Sequence, residues 1–316
     1  MKAVSISKFG GVEVLGLVEA PVPRFGPSEI LVKVHSCGLN PVDFKIRSGY
    51  FKDLFATSFP RILGGDISGT IAAAGSDVND FNIGEDVYFS NPLDRDGGYA
   101  EFCVVDHKLV YQKPKSLTHN EAATLPVAGL TTIQALRDFS KIRPGHKVLI
   151  HAGAGGVGSF AIQYAKQMGA TVFTTASTPN HAYAKELGAD VVIDYREEDF
   201  VPICQNAGGM DIVLESIGGA NYYRSILATR SGGFVPCIVN APDEKTKELA
   251  EANKITTDFL LLSCCRDDLV DIAQLVETKK IRPAFIEALS FNEIIEGHRQ
   301  LESSRVRGKL VLQILN

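Results

Sequence analysis

The sequence has no excess of basic charge. Its 32 lysines and arginines are outnumbered by 37 aspartates and glutamates, a net charge of −5 over 316 residues. An acidic chain without a basic run has little to offer a phosphate backbone or an anionic lipid surface, so neither nucleic acid nor membrane is an expected partner. Long apolar runs are missing too. The most apolar pieces, such as "VLIHAGAGGVG", are short, strand-like and below a bilayer span. The opening "MKAVSISKFGGVEVL" lacks a signal-peptide core and reads as a strand followed by a turn, so a cytoplasmic protein is expected. None of the six cysteines (Cys37, Cys103, Cys204, Cys237, Cys264 and Cys265) has C-x-x-C spacing, and buried free thiols are expected rather than disulfides. The seven histidines form no H-x-x-x-H or H-x-H pair. There is no internal repeat and no low-complexity linker.

Hydrophobic residues make up 45% of the chain, enough for one large core or two ordinary ones. Up to about residue 120 the pattern is β-rich. "EILVKVHSCGL", "GTIAAAG", "EDVYFS" and "AEFCVVD" are short strands separated by Gly, Pro, Asp and Asn turns. Thr118 is a helix-cap candidate, with Glu121 three residues on as its capping-box partner. From there strands alternate with helices. "KVLIHAG" precedes a helix ending at Gly169, and "TVFTTAS" precedes one ending at Gly188; "DVVIDY", "DIVLES" and "GGFVPCIV" are further strands. Near-continuous apolar strands joined by helices imply a parallel sheet covered on both faces, an α/β doubly wound fold. A helix over "DDLVDIAQLVETKKI", a short one around "FNEIIEGHRQLESS" and a final strand "GKLVLQIL" complete the chain.

One motif carries chemistry by its context. Gly153-x-Gly155-x-x-Gly158 follows a strand and opens a helix inside a strand–helix–strand unit, the setting of a dinucleotide site. Gly153 suits the tight turn, Gly155 the approach of a pyrophosphate and Gly158 close helix–strand packing. Gly156 and Val157 supply first-turn N–H groups to the anion. An NAD site usually ends its second strand with Asp or Glu, and here Ala176 and Ser177 stand there. With no carboxylate to repel a 2′-phosphate, and with Ser177, Thr178, Asn180 and Tyr195 as polar neighbours, NADPH is the expected cofactor. The plainer alternative is that these polar groups only finish a strand and cap the next helix.

The ordered segments "GLNPVDFKIRSGYF", "LGGDISG", "GGYAEF", "LPVAGLTTIQAL", "AGAGGVG", "LGADVVIDYREEDF" and "RVRGKLVLQI" resemble the zinc-free branch of the medium-chain dehydrogenase/reductases. The match is to the quinone oxidoreductase group, with zeta-crystallin-like proteins and enone reductases. The resemblance implies a GroES-like β-rich catalytic domain built from residues 1–121 and 264–316, around a Rossmann domain at 122–263. Where zinc-dependent relatives carry metal ligands this chain has Asn40, Gly65 and Ala128, and the lobe from Asp86 to Asp106 has only Cys103, so no metal is expected. Asp43 and Asp66 remain nearby, but two carboxylates do not make such a site.

The resemblance also implies roles. Lys45 is the first candidate for the cation that stabilises negative charge on a substrate oxygen, with Asn40 and Tyr50 as further donors. The bland alternatives are a solvated lysine, a turn asparagine, and an Asp43 that pairs with Lys45 or Arg47 or bonds backbone N–H groups. Thr131 is placed near the nicotinamide, with a helix-interior threonine as the alternative; Asn240 falls at the carboxyl edge of the sheet; and Arg305 and Arg307 are either 2′-phosphate partners or plain surface charges. Many NADPH-using relatives carry Lys or Arg just after the second strand, where this chain has Pro179, Asn180 and His181. The expected function is NADPH-dependent hydride transfer to a quinone or an α,β-unsaturated carbonyl by a homodimer. The alternatives are a reductase of enoyl thioesters or specialised metabolites, and a non-enzymatic NADPH-binding regulatory or structural protein.

Overall fold

The computed structural model describes residues 1–53 and 57–315. Contacts divide the chain into two units. One comprises Met1–Val127, Cys264–Lys279 and Pro283–Asn316; the other comprises Ala128–Ser263 and Lys280–Arg282.

The first unit is built on the Glu29–Gly38 strand, "EILVKVHSCG", which buries most of its residues on both faces. It pairs antiparallel with Asp66–Ala74, with Phe102–Asp106 and, at its carboxyl end, with Lys309–Gln313. In the last pairing Val311 faces Gly38 and Leu312 faces Cys37. That register brings the C-terminal strand beside the loop that follows Gly38, so Lys309 arrives next to Asn40. A seven-stranded sheet and a separate three-stranded sheet result. Apolar side chains such as Ile30, Val32, Ile67 and Leu310 are fully buried in it. Removing each from water is worth about 2 kcal/mol.

The second unit is a six-stranded parallel sheet. Its strands in chain order are Lys147–Ile150, Thr171–Thr175, Val191–Ile193, Met210–Leu214, Thr229–Cys237 and Thr256–Phe259. Numbered that way, their spatial order is 3-2-1-4-5-6. This is the doubly wound dinucleotide-binding order. Its direction reverses between the first and fourth strands, and ligands bind outside the carboxyl ends there. Val148, Leu149 and Ile150, and Ile212, Val213 and Leu214, are all fully buried, as a sheet covered on both faces requires.

Local signals act as expected at several ends. Thr118 and Glu121 form a reciprocal capping box, but the helix they start covers only His119–Ala122. Pro126 lacks the N–H that a continuing helix needs, and it begins a second helix, Pro126–Ile133, which runs on as a π-helical turn, Gln134–Phe139. The Gly156–Gln167 helix is followed by Gly169 at φ +77°, a left-handed position that favours glycine. All six cysteines are free thiols, four buried and Cys264 and Cys265 half-buried. Among the described residues no helix is long and apolar enough to cross a membrane.

Candidate active site

Each unit holds a distinct set of sequence-predicted residues. In the parallel-sheet unit, the glycine loop follows the Lys147–Ile150 strand. Gly155 caps the Gly156–Gln167 helix, so the first-turn N–H groups of Gly156, Val157 and Gly158 have no partner within the helix. The three motif glycines are needed for different reasons. A Cβ on Gly153 would lie 2.0 Å from Thr174 Oγ1, and one on Gly158 would lie 2.3 Å from the Ala152 carbonyl oxygen. These two glycines let strand and helix close together. A Cβ on Gly155 would meet only the Ala152 oxygen, at 3.3 Å. Gly155 is therefore not required by internal packing, and its lack of a Cβ keeps open the space over the helix N-terminus, an end that favours an anion. Ala152 itself sits at φ +50°, a strained position for a residue with a Cβ.

At the end of the second strand Ser177 caps a short 3-10 turn, Thr178–Asn180, and accepts a hydrogen bond from Asn180 Nδ2 at 3.3 Å. The Thr178 hydroxyl donates to Asp194, at the end of the third strand. That bond, with the N–H of Arg196 at 3.0 Å, holds the Asp194 carboxyl below the usual carboxylate range. Tyr195 is 54% exposed, and the Arg196 guanidinium lies 5.7 Å from its ring centroid. Ser177, Asn180 and Tyr195 thus share one polar corner. Arg196 joins them there, a cation the sequence reading passed over although it directly follows Tyr195. Asn240 follows the fifth strand, and its Oδ1 lies 2.4 Å from where a Cβ on Gly218 would stand. Thr131 is half-buried on the Pro126–Ile133 helix.

In the other unit, Asn40 caps the Pro41–Arg47 helix and is buried. Its side chain is committed internally. Nδ2 donates to Asp66 Oδ2 at 2.9 Å and to the Gly38 carbonyl at 3.4 Å, while Oδ1 accepts from Lys309 Nζ at 2.6 Å. Lys309 Nζ also donates to Asp66 Oδ2 at 2.6 Å, and Asp66 Oδ1 accepts from the N–H of Val127 at 2.6 Å. Asp43 accepts from the Asn40 N–H at 2.8 Å, the Tyr99 hydroxyl at 2.9 Å and the Gly64 N–H at 3.3 Å. Holding the loop through backbone N–H groups is thus its visible role. Burial pushes its carboxyl up to about 6. Arg47 is taken up by His298 Nδ1, at 3.1 Å, and by Glu302.

Lys45 and Tyr50 form a second, more open pair. Tyr50 is 59% exposed and Lys45 half-buried, with its Nζ 5.4 Å from the Tyr50 ring centroid. This cation–aromatic contact presents an ammonium and a phenol side by side. Arg307 stacks on Phe285, 5.0 Å from guanidinium to centroid.

The zinc-ligand positions do not fit a metal. Gly65 and Ala128 offer no donor, and the Asn40 oxygen faces an ammonium. Among the described residues no group of three or more His, Cys, Asp or Glu is arranged to hold one.

The alcohol dehydrogenase GroES-like domain family matches residues 26–115, and the zinc-binding dehydrogenase family matches residues 187–312. The chain is 32% identical to the mitochondrial NAD(P)H oxidoreductase RTN4IP1 of Danio rerio over 100% of its own length and 92% of that protein's. It is also 32% identical to the 2-methylene-furan-3-one reductase of Solanum lycopersicum, over 99% and 79%. Among solved structures, the quinone oxidoreductase from Coxiella burnetii superposes with a TM-score of 0.91 at 37% identity, covering 100% and 99% of the two chains.

Proposed function

The chain belongs to the quinone oxidoreductase group of the medium-chain dehydrogenase/reductases, and from that premise we propose that it is a zinc-free, NADPH-dependent reductase of quinones or α,β-unsaturated carbonyls. The observation that carries this reading is the glycine loop at the point where the sheet order reverses, with Gly155 left open over a helix N-terminus. Bound there, the dinucleotide supplies the hydride. The helix N-terminus and first-turn N–H groups hold its pyrophosphate. Ser177, Asn180, Tyr195 and Arg196 form a polar corner that includes a cation, which suits a 2′-phosphate and supports NADPH over NADH. In this reading Thr131 and Asn240, which belong to the same unit as the glycine loop, flank the dinucleotide.

Hydride arriving at an acceptor carbon builds negative charge on the conjugated oxygen. Lys45 stabilises that charge and donates an ammonium proton to that oxygen, with the Tyr50 hydroxyl as a second donor. Asn40 acts differently from the donor role its sequence context suggests. With both amide hydrogens engaged, it positions the start of the Pro41–Arg47 helix that carries Lys45. The Thr256–Phe259 strand lies at the edge of its sheet with no strand beside its outer row among the described residues, which supports a homodimer joined through that edge. Cytoplasmic residence belongs to the same proposal.

The test follows oxidation of NADPH and NADH with an ortho-quinone, a para-quinone and a short enone, with and without EDTA. EDTA-resistant turnover that prefers NADPH, with kcat reduced about 100-fold in Lys45→Ala, is the expected result. Tight NADPH binding without turnover of any acceptor would transfer the protein to the non-enzymatic reading.

A further inference from the structure

The switch point of the parallel sheet carries a buried polar chain that the proposed reaction does not use. His151 follows the first strand, Thr175 ends the second, and Glu215 follows the fourth. Ser225 lies on the Ala220–Ala228 helix. His151 is 2% exposed, Thr175 3%, and Glu215 and Ser225 are fully buried. Donor and acceptor accounting fixes the direction of every bond. The Ser225 hydroxyl donates to Glu215 Oε2 at 2.5 Å, so it accepts from His151 Nε2 at 3.1 Å. The other ring nitrogen of a neutral imidazole is then an acceptor. His151 Nδ1 therefore receives the Thr175 hydroxyl at 3.1 Å. Thr175 Oγ1 in turn accepts the N–H of Ala152 at 3.1 Å.

Both ends of this chain terminate in cofactor loops. At one end it holds Ala152, whose left-handed φ of +50° opens the glycine loop. At the other, the Glu215 carboxylate accepts the N–H groups of Ile217 and Gly218 at 2.6 and 2.8 Å and Asn221 Nδ2 at 2.9 Å, organising the loop after the fourth strand. The Ser216 hydroxyl adds a bond to the His151 carbonyl at 3.1 Å. An apolar core would close a sheet here at lower desolvation cost. What a hydrogen-bonded chain adds is a set distance between the two loops on either side of the crevice.

We propose that His151, Thr175, Ser225 and Glu215 are positioning residues for the dinucleotide. They set the spacing of the glycine loop and the 216–219 loop, and so the affinity for the pyrophosphate. This rests on the reading of the unit as a nicotinamide-dinucleotide site. Burial also holds the His151 imidazole below its ordinary range, in keeping with the neutral ring that the bonding requires.

Thr175→Val keeps the shape of the side chain and removes both of its bonds; Thr175→Ser keeps the hydroxyl. NADPH and NADH binding is read by fluorescence titration, KM and kcat by turnover, and folding by the thermal midpoint. Thr175→Val is expected to raise Kd and KM for the cofactor about tenfold with kcat moving less than twofold, and Thr175→Ser to restore most of the affinity. Should Thr175→Val not fold, Ser225→Ala breaks the same chain at its other end and is expected to weaken affinity similarly. If wild type binds a cofactor and a folded variant binds it equally well, even with a lower midpoint, the positioning role is overturned. If wild type binds neither cofactor, the dinucleotide reading fails, and this inference fails with it.

Discussion

Lys309 Nζ lies 2.6 Å from both Asn40 Oδ1 and Asp66 Oδ2, a cation of the C-terminal strand 5% exposed and buried between an amide and a carboxylate from the N-terminal part of the chain. Breaking such a pair costs more than the pair itself contributes, because the remaining charge stays desolvated. Lys309→Met is expected to destabilise the protein by about 3–5 kcal/mol in chemical denaturation. Lys309→Met with Asp66→Asn removes both charges and should recover a good part of that loss. A double variant no more stable than the single one would show that the lysine stem, not its charge, is what matters.

The glycine loop separates folding from binding. Gly158→Ala puts a Cβ 2.3 Å from the Ala152 oxygen and 2.7 Å from Gly153 Cα, and neither backbone atom can give way cheaply. A lower thermal midpoint and loss of cofactor binding are expected together. Gly155 has φ −82° and ψ 179°, allowed for alanine, and room for a Cβ. Gly155→Ala should keep its stability within about 1 kcal/mol while NADPH affinity falls at least about tenfold. Equal affinity in Gly155→Ala and wild type would remove the pyrophosphate from this helix N-terminus.

Cofactor choice should turn on Ser177. A carboxylate placed there by Ser177→Asp would repel a 2′-phosphate and accept from a ribose 2′-hydroxyl. The ratio of kcat/KM for NADPH over NADH is expected to fall about 100-fold, and Arg196→Ala to lower the same ratio more modestly. An unchanged ratio in both variants would place the adenosine ribose elsewhere.

Acid should unfold the protein by way of its buried imidazoles. Burial, helped by the Arg47 guanidinium, takes His298 down to about 3, and burial beside His35 takes His119 down to about 4. A histidine depressed in the folded state leaves the unfolded chain holding more protons, so stability is full above about 6.5 and is lost as pH falls through the window below it. Asp43, raised to about 6, works in the opposite sense: its contribution is full below the ordinary aspartate range and is lost as pH rises to about 6. Burial holds the His35 and His151 imidazoles down as well, so four imidazoles against one raised carboxyl leave a net loss between pH 6 and 4. Urea midpoints at pH 7.0, 5.5 and 4.5 should fall accordingly. His298→Gln, which can still accept from Arg47, should flatten the slope by up to about 1.4 kcal/mol per pH unit. A slope identical to wild type would take His298 out of the account.

The local features of this protein were legible in its sequence because they are decided within a few residues. The glycine spacing, the Thr118–Glu121 capping box, the stops at Gly169 and Gly188 and the near-continuous apolar strands each depend on neighbours in the chain. The Thr256–Phe259 strand was not legible: "TTDF" has one apolar residue and forms because the Thr229–Cys237 strand offers it an edge. Nor could any local pattern reveal that Lys309, in "GKLVLQIL", differs from a solvated lysine. Its partner Asn40 is 269 positions away, and only the register of Lys309–Gln313 against Glu29–Gly38 brings the two together. His151 and Glu215 read singly as polar residues closing two strands, and the tie through Ser225 exists only because the first and fourth strands are neighbours. Sequence determined most of the elements that form and the glycine turn that opens the Gly156–Gln167 helix. Tertiary structure decided which polar groups are buried together, because burial and pairing depend on sheet register between segments far apart in the chain.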